Sequence, residues 1–290
     1  MQYNTDLAME TREKNNCGEN EGVIYKKEKR NGAVVTLIDV INAQGEKAIG
    51  KPAGRYITVE MKPFCVDSEL FDGRLDAVSD EIKKMLPKSG TVLVAGLGND
   101  KITPDALGPR VIDFIMATRH INSEIARQTG LTDLRSVAAI APGVLGETGM
   151  ETGEIISAVA RSIGAKCVIA IDALASLSVK RLGRTVQISN TGITPGSGIG
   201  NHRFSINEKN LGIPVIAIGM PTVVDALTLV EELSGKEIGS LSSAPGEEKM
   251  IVTPKEIDTV IEKSAKMIAM AINAALQPSL SPEDIFSLVG

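Results

Sequence analysis

The sequence predicts an α/β fold, a doubly wound and mostly parallel sheet sandwiched by helices. Three observations predict it. Residues 91–95 (T-V-L-V-A), 136–141, 167–171 and 213–218 are continuous apolar runs without polar alternation, as strands covered on both faces require. Segments 106–117 and 152–163 between them carry apolar residues at helical spacing. Strands alternating with helices in this way build parallel sheets. Finally, polar or Gly-rich stretches follow several of the strands, where an open sheet collects its ligands.

The elements follow in order. Residues 1–32 are dense in charge and Asn with little periodicity, which predicts a flexible or processed arm. Two short β-rich runs, 33–40 and 55–61, form an N-terminal edge to the sheet. Leu70, Leu75, Val78 and Ile82 recur at near-helical spacing and predict a helix over 68–86, which Pro87 ends. Over 106–117, Leu107, Val111, Ile112, Ile115 and Met116 face inward. Residues 184–189 add a strand, and helices follow at 223–233 and 254–276. The last opens on T-P-K-E, a capping box with Pro at its first helical position. No internal repeat is visible, so 33–290 is expected to form a single domain, with 235–246 as a Ser/Gly-rich surface loop.

Composition excludes several function classes. A chain of 290 residues can bury a substantial core, and 43% hydrophobic with 23% charged residues is ordinary for a globular protein. A net charge of −5 argues against a direct nucleic-acid partner. So does the scarcity of aromatics: five Phe, three Tyr and no Trp leave no base-stacking platform. Cys17, Cys65 and Cys167 share no C-x-x-C spacing, which disfavours a disulfide framework or zinc knuckle and suggests a reducing compartment. Cys167 opens an apolar strand and reads as core. No apolar signal region opens the chain, and the uncharged stretch 210–224 is broken by Pro214 and Pro221. A cytoplasmic protein with no membrane partner is expected.

Four loops are candidates for chemistry: 96–109, 142–153, 172–178 and 190–202. G-L-G-N at 96–99 invites a dinucleotide reading, but the third glycine of that fingerprint would fall on Lys101. No G-x-x-x-x-G-K-[ST] occurs either, so no cofactor is expected. G-S-G-I-G around Ser197 could bind an anion through backbone N–H groups, or could be a tight glycine turn. Serine catalysis needs a base, yet only His120 and His202 exist and there is no G-x-S-x-G elbow. His120 fits a helix C-terminal cation. His202 could join Asp105 and Asp172 at a metal, although two acids and one His make a sparse site, and no metal is assigned.

The carboxylates remain. Asp172 directly ends the run C-V-I-A-I, where a charge is costly unless it has partners, though it could be a plain strand-end residue. Asp105 follows Thr-Pro and suits either a helix N-cap or a chemical role. Asp113 and Asp133 read as solvated. If Asp105 and Asp172 meet at adjacent strand ends, one keeps a proton while the other activates water. Such a pair can hydrolyse an amide with no metal, and its titration belongs to the pair.

Five ordered motifs carry a resemblance: G-L-G-N-x-x-x-T-P-D-A-L-G-P, A-P-G-V-L-G-E-T-G-M-E-T, V-I-A-I-D-A-L-A-S, I-S-N-T-G-I-T-P-G-S-G-I-G-N and L-G-I-P-V-I-A-I-G-M-P-T-V-V-D-A. Together they span about Val92 to Ala226 and closely resemble the germination protease family of spore-forming bacteria. The resemblance implies an endopeptidase that degrades small acid-soluble spore proteins in the developing spore compartment. It also implies a sandwich similar to hydrogenase maturation proteases, a homotetramer, and aspartic-type catalysis by Asp105 and Asp172. Members are made as zymogens, and Thr5–Glu10 (T-D-L-A-M-E) resembles the processing site, which puts self-cleavage between Asp6 and Leu7. By position, Asn99 and Thr103 would order the catalytic loop, and Gly196, Ser197 and Gly198 would shape the peptide channel. The chain departs from some members in being shorter after the core and in having a very short segment before the processing site. Two other classes stay open: a metallocentre-maturation protein using Asp105, Asp172 and His202, and a noncatalytic module that grips acidic peptides.

Overall fold

The computed structural model describes residues 5–15, 22–66, 73–121, 123–129, 131, 133–196, 204–235 and 250–289. Among them, nine strands join in one mixed sheet. In chain order they are β1 (Val23–Arg30), β2 (Ala33–Val40), β3 (Gly54–Glu60), β4 (Val92–Gly96), β5 (Val137–Ile140), β6 (Cys167–Ser176), β7 (Thr185–Ser189), β8 (Val215–Asp225) and β9 (Ile251–Val252). Their spatial order is β1-β2-β3-β7-β8-β6-β4-β5, with β9 paired to β8. The half β8-β6-β4-β5 is parallel, while β1, β2, β3, β7 and β8 pair antiparallel with their neighbours. The expected α/β fold is therefore present, and the β-rich N-terminal runs continue the same sheet.

The unbroken apolar runs reflect burial on both faces. Along β4, Val92 and Val94 enter one core layer, and Leu93 and Ala95 enter the other. Along β6, Cys167, Ile169 and Ile171 face the first layer, while Val168 and Ala170 face the second. The first layer is roofed by the helices Arg74–Met85, Leu107–Ile112 and Ile257–Leu276, which pack on one another. Helix Thr152–Ser162 contributes Ile156 and Ala160 to the second. A smaller cluster joins Ala8, Met9 and Ile49 to Val23 of β1, Ile38 and Val40 of β2 and Tyr56 of β3.

Several expectations are corrected. Residues 1–32, read from the sequence as a flexible or processed arm, include helix Ala8–Asn15 and strand β1 among the described residues. The helix is anchored where Ala8 and Met9 find apolar cover, and Leu7 before it is fully buried (0% exposed). β1 turns into β2 through Asn31 (φ 50°) and Gly32 (φ 74°), a two-residue turn that requires positive φ at both positions. The Asn-Gly pair was a legible hairpin signal in the sequence. β6 does not end at Ile171 but runs to Ser176 beside β8. β8 likewise passes through Pro221, where pairing with β7 has ended, and one extra residue, Thr222, is accommodated as a bulge. The helix expected over 106–117 is limited to Leu107–Ile112. T-P-K-E forms no capping box, because Thr253 Oγ1 donates to the Thr222 carbonyl instead (2.9 Å).

Candidate active site

Asp172 follows Val168 and Ala170 at intervals of two along β6, so it shares their face of the sheet. It is 6% exposed, and its Oδ1 accepts the Ala173 N–H (2.9 Å). Although β6 continues past it, the adjacent β4 stops at Gly96, opposite Ile171. The cost of the buried acid is thus met where one neighbouring strand has ended and a cleft begins.

Asp105 reaches that cleft by a different route. After β4 the chain turns through Gly98 (φ +107°) and re-enters as a single 3-10 turn, Thr103–Asp105. A Cβ at Gly98 would lie 2.0 Å from the Asp105 carbonyl oxygen, so both the backbone angle and the close approach call for glycine. Asp105 Oδ2 accepts the Asn99 N–H (2.8 Å). Asp105 is therefore not the N-cap of the following helix, which starts at Leu107; its carboxylate folds back onto the G-L-G-N loop.

Asp105 and Asp172 line one cleft of about 260 Å³, together with Pro104, Thr152, Thr194 and Thr222. Asp6 lines it too. The N-terminal segment is tied to the sheet beside the acids. The Asp6 N–H donates to the Ala175 carbonyl (3.2 Å), and the Ala175 N–H donates to Asp6 Oδ2 (2.9 Å). Lys51 Nζ donates to the Thr5 carbonyl (2.7 Å); burial pushes its ammonium below the usual range, while the Asp6 and Glu10 carboxylates pull it back up. On the far side, buried Glu10 accepts from Ser176 Oγ (2.8 Å) and from the Leu177 N–H (2.7 Å), with Arg181 Nε 3.4 Å away.

The remaining candidate residues are placed as follows. Asn99 serves Asp105 through its backbone, while its side chain accepts the Lys101 N–H (2.9 Å). Thr103 opens the turn, and its carbonyl accepts the Ala106 N–H (3.1 Å). Neither side chain lines the cleft, whereas Gly196 does. Ser197, Gly198 and His202 lie outside the described residues. His120 lies beyond the helix that ends at Ile112, so it is not that helix's terminal cation. Sequence reasoning missed Gln187. It is the one polar side chain between Val186 and Ile188 on β7, and it contacts the N-terminal segment.

Fold and site together define an α/β protein whose acid-bearing cleft holds part of its own N-terminal segment. The family model described as germination protease matches residues 3–234. A germination protease of Clostridium perfringens is 43% identical, with 97% of each chain covered. One from Clostridium tetani is 42% identical over 99% of each, and one from Priestia megaterium is 35% identical over 96% of this chain and 93% of its own. Among solved structures, a nickel–iron hydrogenase maturation protease, HycI of Thermococcus kodakarensis, covers 66% of this chain and 98% of its own, at 16% identity and a TM-score of 0.36. The chain belongs to the germination protease family, and it is a peptidase.

Proposed function

We propose that this chain is an aspartic-type endopeptidase that initiates degradation of small acid-soluble spore proteins during germination. It is made as a zymogen that cleaves itself between Asp6 and Leu7, and it works as a homotetramer in the cytoplasm of the developing spore. Asp105 and Asp172 share the activation of water. The observation that carries this reading is that Asp6 lines the same cleft as Asp105 and Asp172. Asp6 of T-D-L-A-M-E is held at the cleft by one backbone bond to the Ala175 carbonyl, which an extended peptide could also make, and by its carboxylate on the Ala175 N–H. The family name fits a proteolytic role at germination.

In the hydrolysis, the ionised carboxylate accepts a proton from water as its oxygen attacks the peptide carbonyl. The protonated partner then supplies the proton that the leaving amine needs. Asp105→Asn and Asp172→Asn test this directly. Each keeps the shape of the side chain but cannot take up a proton, and general acid–base work of this kind contributes about 100- to 10,000-fold. Each variant is expected to bind a peptide containing T-D-L-A-M-E and to lose cleavage of it on that scale. Cleavage at the wild-type rate in either variant would remove that acid from the mechanism.

A further inference from the structure

Gln187 on β7 pairs with Gly219 on β8, and Gly219 pairs in turn with Asp172 on β6. The three form one row across adjacent strands, and residues in a row share a face of the sheet. The middle position carries no side chain. Two strand spacings put the outer backbones of Gln187 and Asp172 roughly 10 Å apart. The Leu174 side chain covers Gly219, and Asp6 lines both the cleft that contains Asp172 and the adjoining cavity that contains Gln187.

The carboxamide of Gln187 brackets the backbone at this point. Its Nε2 donates to the Asp6 carbonyl oxygen (2.8 Å), and its Oε1 accepts the Ala8 N–H (2.9 Å). The orientation of the amide is unambiguous, because a carbonyl can only accept and a backbone N–H can only donate. The bond between Asp6 and Leu7 lies inside this bracket. Gln187 is 8% exposed, so its two bonds are made largely out of water, where they are stronger.

We propose that Gln187 is a catalytic residue of this peptidase, polarising the carbonyl of the bond to be cut and holding the charge that develops on its oxygen. The proposal rests on the reading that the Asp6–Leu7 bond is the one cleaved. Water's oxygen forms a bond to the Asp6 carbonyl carbon, its proton passes to the ionised acid, and the π electrons settle on the carbonyl oxygen facing Nε2. Collapse breaks the C–N bond, and the Leu7 nitrogen leaves with the proton of the protonated acid. The Oε1 contact to Ala8 holds the donor in place throughout, so no reorientation is needed when the charge appears.

The test uses the full-length chain and follows self-cleavage by mass spectrometry of the new N-terminus. Gln187→Met keeps the length and removes both hydrogen bonds. It is expected to fold, as judged by thermal unfolding, and to cleave at Asp6–Leu7 about 100-fold more slowly or worse, the usual loss for one oxyanion donor. Gln187→Glu keeps the acceptor and loses the donor only while ionised. Its rate relative to wild type is expected to recover as pH falls and its carboxyl is protonated, which a purely structural role would not produce. Folded Gln187→Met cleaving within threefold of wild type, or a Gln187→Glu ratio that does not change with pH, would overturn the proposal. If wild type itself is not cut between Asp6 and Leu7, the underlying reading fails and the proposal falls with it; correct wild-type cutting with insensitive variants defeats Gln187 alone.

Discussion

Cys167 and Asp172 lie on the same strand but face opposite core layers. The Cys167 thiol gains from staying neutral: burial pushes it from an ordinary 9.0 up to about 12, with Glu208 adding to the rise and Arg135 opposing it. In the unfolded chain it ionises near its ordinary value. The folded state therefore holds the proton more tightly, so the stabilisation is complete below pH 9 and is lost as pH rises towards 12. The slope is about 1.4 kcal/mol per pH unit for one proton. Tyr56, raised by burial to about 12, adds a second alkaline loss that starts later. Denaturant unfolding of Cys167→Ala across this range should show a flatter fall in stability than wild type, and equal slopes would speak against it. Asp172 has no such refuge in neutrality if it must accept a proton from water. Its place at the cleft, where β4 has ended, is what a buried acid requires.

At the level of elements, the site depends on how closely β4, the 3-10 turn and the helix Leu107–Ile112 approach one another. A Cβ at Gly108 would lie 2.2 Å from the Leu97 carbonyl oxygen, 2.4 Å from the Leu97 nitrogen and 2.6 Å from the Ile171 carbonyl oxygen. All three are backbone atoms, two of the residue just after β4 and one within β6, so none can swing aside. Gly108→Ala is expected to cost about 3 kcal/mol or more, at the severe end of overpacking, and to lower activity along with stability by moving Asp105. Thermal unfolding and peptide cleavage measured together would check this; a variant with normal values in both would refute the close approach. The A-L-G-P motif was legible as part of a strand-end loop, but the need for Gly108 was not. That need comes from Leu97 and Ile171, on strands brought together only by folding. Of the two readings of Asp105, the N-cap is excluded because the 3-10 turn Thr103–Asp105 precedes the helix, whose N-cap is Ala106. The apolar spacing of 106–117 suits a longer helix, yet the chain turns away after Ile112 to run towards β5.

For the whole molecule, Asp6 of the T-D-L-A-M-E segment lines the cleft of its own chain, so self-cleavage between Asp6 and Leu7 is expected to be first order. Its rate constant is expected not to change when the protein is diluted over a hundredfold range, and an inactive Asp172→Asn chain should remain uncut when mixed with active enzyme. A rate that rises with concentration would place cleavage between chains. The strands and the alternation that makes the sheet followed from the sequence alone, because periodicity and burial are properties of neighbouring residues; that β6 carries Asp172 within the strand and not in the loop after it did not. The motifs also carried the resemblance to the family. What only the tertiary structure decided is who meets whom in the cleft. Gln187 reaches residues 6 and 8 across 181 and 179 positions of chain, and it shares a row with Asp172 only because β8, formed later in the chain than either, is inserted between β7 and β6. Strand order is set by the packing of the whole sheet, which no local pattern encodes.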